Sequence, residues 1–239
     1  MRRCGFAVIM LTAAVTSFIF FGCVSSQKIT QATAHYQLGV SYLNKNNIQP
    51  AFVEFQKALD LNPNDKEVLN AIGIIYLMKI EDYPQAIMYF QRALKVDKNF
   101  SEASNNLGLA YEKTGKFYDA IESYKTAASN PRYQSVQNAF THLGEAYYRV
   151  KDYQAAINSY KDAIRRFSDF YPPYYGLALA YNAMGQYTAA AAVLTKALEL
   201  DPEYKGDREK ARRYMEERKL VAKGEEEKDI EDLLEIMNY

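Results

Sequence analysis

The chain has 239 residues, enough for one ordinary domain or one repeat array. With 49% hydrophobic and 24% charged residues it is composed to fold, and its 29 basic and 29 acidic residues cancel. That balance excludes the broad basic face on which general nucleic-acid binding depends.

Met1-Arg2-Arg3 leads into an apolar run from Gly5 to Gly22, and the chain turns polar at Ser25-Ser26-Gln27-Lys28. A charged start, an apolar middle and a small residue before a break read as a secretory signal over 1–22. The Gly22-Cys23 ending resembles the lipobox of bacterial lipoproteins, although Phe20 and Phe21 depart from its usual first two positions. The resemblance implies cleavage before Cys23, lipidation of Cys23 and a place in the cell envelope. Val24, rather than Asp, follows the cysteine, which by the same resemblance implies the outer membrane, with the chain facing the periplasm. An uncleaved anchor is the alternative, since the apolar run is near the lower limit for spanning a bilayer. Cys4 would leave with the signal and Cys23 would carry lipid, so no thiol remains for a disulfide or a metal. Residues 23–31 then form the lipidated start and a short polar tether.

Five related stretches follow: 32–65, 66–100, 101–136, 137–170 and 171–204. In the first, apolar residues recur at helical spacing through Tyr36, Val40 and Leu43, and again through Phe52, Phe55, Ala58 and Leu59. Asn44–Asn47 separates the two runs, and Pro50 suits a first helical turn. Each stretch therefore predicts a helical hairpin. The second carries one extra residue in its turn, around Ile80–Tyr83. The third is followed by an irregular segment, Ser129-Asn130-Pro131-Arg132-Tyr133. Leu38-Gly39, Ile72-Gly73, Leu107-Gly108 and Leu143-Gly144 mark one position, where a small residue predicts close crossing of helices. Tyr42, Tyr76, Tyr111, Tyr147 and Tyr181 mark another, filling space between hairpins.

The pattern stops at Lys205. Residues 205–223 read as a charged helix capping the last hairpin, with Ala211, Tyr214, Met215 and Leu220 on one side. The remainder, 224–239, is an acidic tail with seven acidic residues and one Lys. It is either solvated or one more short amphipathic helix through Ile230, Leu233, Leu234, Ile236 and Met237.

The recurring residues resemble the tetratricopeptide repeat, a helix–turn–helix unit of 34 residues. The resemblance implies an all-α, right-handed superhelical solenoid of about five repeats closed by a C-terminal capping helix. It also implies a concave groove lined by the first helix of each repeat. The groove positions expected to meet a partner are Tyr36, Leu43, Asn70, Ile74, Leu77, Met78, Asn105, Leu109, Glu112, Tyr148, Arg149, Tyr175 and Asn182. Ile74, Leu77, Met78 and Leu109 would form an apolar patch of the kind that marks binding sites. Asn70 and Asn105 are placed to bond the backbone of an extended peptide. The alternative is that neighbouring hairpins cover these side chains.

Nothing in the chain points to catalysis. His35 and His142 stand alone on helix faces, and no phosphate loop, metal-binding His pair or nucleophile elbow occurs. We expect no enzyme, no cofactor and no metal site. A lipoprotein signal joined to such repeats resembles the type IV pilus biogenesis lipoproteins of the pilotin type. The Asn130–Tyr133 segment is similar to that family's junction. The resemblance implies a protein client, a secretin subunit or another pilus component, assembled at or delivered to the outer membrane. An adaptor for another envelope machine, serving barrel-protein assembly, peptidoglycan enzymes or a protease, is the competing expectation.

Overall fold

The computed structural model describes residues 26–239. The signal segment and Cys23 lie outside the described residues. Every regular element in the described chain is a helix, and none is long and apolar enough to cross a membrane. The chain divides into two compact units, one ending at Lys98 and the other running from Asn99 to Tyr239.

The first unit opens with α1, over 26–44, followed by α2 (Ile48–Leu61), α3 (Lys66–Ile75) and α4 (Tyr83–Val96). The expected polar tether is helical from residue 26, so α1 reaches back beyond the first repeat with its leading turn exposed. Asp65 caps α3 by accepting bonds from the backbone N–H groups of Glu67 and Val68. The extra residue of the second repeat is not in the loop. It is absorbed at the end of α3, where Tyr76–Ile80 widens into a π-helical turn. The Tyr76 ring meets Phe52 edge-on at 5.7 Å and stacks on Tyr89 at 5.5 Å, which ties the two hairpins of this unit together.

The second unit holds α5 (Ser101–Lys113), α6 (Phe117–Ala128), α7 (Val136–Arg149), α8 (Tyr153–Arg166), α9 (Pro172–Ala183) and α10 (Tyr187–Leu200). Two further helices, α11 (Arg208–Lys219) and α12 (Glu225–Ile236), complete it. Successive helices pair along the chain from α5 to α10, as stacked hairpins require. The irregular segment before α7 is anchored rather than loose. Tyr133 is buried with Ala127, Ala128, Val136 and Ala139, and the Asn130 amide donates to Ser101 Oγ at 2.8 Å.

The repeated glycine has a different cause from the one its position suggested. A Cβ at Gly39, Gly73, Gly108 or Gly144 would lie 2.4–2.6 Å from a ring carbon of Phe55, Phe90, Tyr124 or Tyr160 respectively. In each case the ring comes from the second helix of the same hairpin. The glycine makes room for an aromatic plate, not for a neighbouring backbone. The last repeat substitutes Ala178 and Leu194 for this pair, and both are buried.

The expected single cap is a pair of helices. On α11 only Ala211 and Met215 are buried, while Tyr214 and Leu220 are exposed. The acidic tail forms α12, which packs against α9, α10 and α11. Its Ile230, Leu233, Ile236 and Met237 join a cluster with Tyr174, Leu194, Leu198 and Tyr204. The amphipathic alternative for the tail is the one the structure adopts.

Candidate partner groove

The groove positions fall in both units, and each set has its own surroundings. In the first unit, Tyr36 packs on Phe55 with ring centroids 5.8 Å apart. Burial, then the nearby Glu67 and Asp65 carboxylates, raise its hydroxyl above the ordinary range. Leu43, Asn70 and Ile74 are half-buried. Met78 is 60% exposed, whereas Leu77 is only 4% exposed. The π-helical turn rotates the end of the helix and carries Leu77 into the core. The expectation that Leu77 meets a partner is therefore corrected: it is a packing residue.

In the second unit Asn105 is also buried, and its Oδ1 accepts a bond from His142 Nδ1 at 3.0 Å. It is not presented to an extended peptide as the sequence led us to expect. Burial holds His142 down to about 4, so the imidazole is neutral at pH 7. Leu109 leans on the cluster of Ala120, Ile121, Tyr124, Leu143 and Ala146. Tyr124 donates its hydroxyl proton to Glu112 Oε2 at 2.8 Å. Tyr175 donates to Asp201 Oδ2 at 2.9 Å, which ties α9 to the turn after α10. The Asn182 Oδ1 is buried without a hydrogen-bond partner.

Arg149, at the end of α7, is the centre of this set. Its guanidinium forms a two-pronged pair with Asp229 of α12 and reaches Glu225 at 3.4 Å. It also lies over the Tyr148 ring, 5.4 Å from its centroid. The bonds to Asp229 raise the guanidinium further above its ordinary value. Beneath it, burial and then the Glu112 carboxylate push Glu145 up to about 8, with Arg149 opposing and Asp229 adding. Glu112 is raised as well, chiefly by burial, while its bond from Tyr124 pulls the other way.

The chemistry of the site is thus recognition: one cation, the Glu112 and Glu145 carboxyls whose affinity for protons burial raises, and tyrosine rings. Among the described residues no group of three or more His, Cys, Asp or Glu is arranged to hold a metal. Asp229 and Glu225 escaped the sequence-based list because they lie far along the chain from Arg149. Their trace was a pair of acids one helical turn apart on an amphipathic tail.

Glu145 gives the second unit a pH dependence with a definite sign. Its folded value lies above the ordinary 4.5, so between about 4.5 and 8 the folded state binds more protons than the unfolded state. Its contribution is full below that window and is lost as pH rises through it. Glu145→Gln is expected to raise Tm at pH 9 by about 2–4 °C relative to the parent and to leave pH 4 nearly unchanged, read by thermal melts.

Tetratricopeptide-repeat profiles match residues 32–65, 73–134 and 147–208, together well over half of the chain. No curated protein matches the chain by sequence. Among solved structures, PilF of Pseudomonas aeruginosa superposes with a TM-score of 0.66 at 20% identity, over 86% of this chain and 98% of that one. PilW, described as a widely conserved type IV pilus biogenesis factor, gives 0.66 at 18% identity, over 83% and 97%. MamA gives 0.62 at 25% identity, over 74% and 96%. These likenesses are to the fold. With its helical hairpins and repeat profiles covering well over half of its length, the chain belongs to the tetratricopeptide-repeat family.

Proposed function

We propose that this chain is a membrane-tethered scaffold of the bacterial envelope that holds a segment of a client protein. Lipid on Cys23 anchors it, at the outer membrane and facing the periplasm. The client is the type IV pilus secretin, whose multimers the scaffold helps to assemble or localise. The observation that carries this reading is the junction of Gly22-Cys23 with a tetratricopeptide array that begins within a few residues of it. The fold likeness to PilF and PilW over most of all three chains adds support. A tether matters physically because each groove contact is modest, and confinement to one surface raises effective concentration.

Two measurements test it. Cys23→Ser is expected to move the protein from the membrane fraction to the soluble periplasmic fraction and to abolish labelling by radioactive palmitate. A deletion strain is expected to lose secretin multimers on non-reducing gels and to recover them with the wild-type gene. Normal multimers in the deletion strain would overturn the secretin assignment, and palmitate labelling of the Cys23→Ser chain would overturn the anchor.

A further inference from the structure

The first helices of the fourth and fifth repeats, α7 and α9, belong to the set that lines the groove in a tetratricopeptide array. In this chain their end of the groove is occupied. The occupant is α12, which packs on α9 and is clasped from α7 by Arg149.

Three observations separate α12 from an ordinary terminal cap. The first is charge complementarity. Residues 224–239 carry seven acidic side chains and one Lys. Asp229 and Glu225, one turn apart on a helix face, both reach Arg149. The carbonyl of Met237 at the other end accepts from Arg208 at 2.6 Å and Arg212 at 3.2 Å. The second is pattern. The buried residues Ile230, Leu233, Ile236 and Met237 follow helical spacing, so one amphipathic stripe carries the buried apolar contact. The third is the connection. Leu220 and Val221, just before α12, are 86% and 71% exposed, and Gly224 takes a left-handed φ of +63°. The helix follows an exposed link and folds back on α11, to which it adds the exposed ion pairs Arg218–Glu226 and Lys219–Glu231. A helix of 12 residues is marginal by itself, so its order depends on being docked.

We infer that the α7–α9 face is a receptor for an acidic amphipathic helix of a partner protein, and that α12 is its resident, displaceable occupant. The partner helix presents two acids one turn apart to Arg149 and a stripe of large aliphatic residues to the Tyr174–Leu194 cluster. It binds by exchange with α12, so the free groove is exposed only when a matching helix arrives. This deepens the scaffold reading by naming the class of client segment. It does not depend on the secretin or on the lipid, so its failure is distinguishable from theirs.

The test uses the full chain and a fluorescent synthetic peptide of residues 224–239. Asp229→Arg places two cations together and releases α12, which hydrogen exchange over 225–237 reports directly. The labelled peptide is expected to bind this variant at least about tenfold tighter than the parent by fluorescence anisotropy, because the parent's tethered helix competes at high effective concentration. The paired variant Asp229→Arg with Arg149→Glu restores the ion pair in reversed sense. It is expected to regain exchange protection and to lose the peptide. If Asp229→Arg leaves α12 protected, Leu233→Asp takes its place as the releasing change. An undocked α12 with no gain in peptide binding would overturn the inference and leave α12 a structural cap. A swapped dimer of the released variant on size exclusion would also overturn it, making a second copy the occupant.

Discussion

Gly108→Leu is expected to unfold the first hairpin of the second unit and to lower the stability of that unit by about 3 kcal/mol or more, measured by urea denaturation with circular dichroism. A Cβ at Gly108 would fall 2.4 Å from Tyr124 Cε1, 2.6 Å from Cδ1 and 2.8 Å from Cζ. The ring has nowhere to go. It is fully buried, and its hydroxyl is fixed on Glu112. Moving it would strand the half-buried Glu112 acceptor as well as break the hairpin seam, and each of these is costly. Gly115, seven residues on, is the control. Its Cβ would meet nothing within 4 Å, but its φ of +73° is a region that L side chains rarely adopt. Gly115→Ala should therefore cost about 1 kcal/mol, for backbone reasons alone. Equal losses at both sites would mean that ring contact is not what the repeated glycine serves.

Tyr160→Ala carries the second large effect, a loss of about 3–5 kcal/mol in the second unit. Tyr160 is 1% exposed and packs with Ala156, Ile157, Leu177 and Ala180. Two glycines face its ring. A Cβ at Gly144 would lie 2.6 Å from Cε1, and one at Gly176 would lie 2.3 Å from Cζ. The ring is thus a plate set between the first helices of consecutive repeats, and removing it empties both contacts. Neither glycine has a side chain that could lean into the space. Tyr160→Phe keeps the plate and should cost less than about 1.5 kcal/mol. A small loss for alanine would show that the two helices collapse onto each other, and would place the glycines in direct backbone packing after all.

These cases show what the residues disclosed and what they did not. The hairpins and the buried small positions were legible because each is a local pattern repeated several times, and repetition turns weak signals into a strong one. The fates of individual groove residues were less legible, because a single residue can rotate the face. The extra residue of the second repeat became a π-helical turn, and adjacent Leu77 and Met78 parted company, one into the core and one into solvent. Asn105 read as a peptide-binding amide, yet a histidine 37 residues away engages its carbonyl oxygen. Arg149 was picked out by its place in the repeat, but its acidic partners sit on a helix outside the repeats altogether. Burial and pairing of this kind depend on contacts distant in sequence, which periodicity does not carry.

The turn between the two helices of every repeat holds one residue with left-handed backbone: Asn46, Glu81, Gly115, Lys151 and Gly185. Four residue types fill this single post, although glycine meets its conformational demand best. All five are exposed, and at the two glycines the surrounding space is empty. A short walk away stands the glycine under the ring, or Ala178 facing Leu194, where the alternatives are few. Tolerance to change therefore rises and falls along the chain with the period of the repeat. Peptide tags, epitope grafts or crosslinkable residues placed at these five turns would decorate the array at regular intervals without touching the seams that hold it.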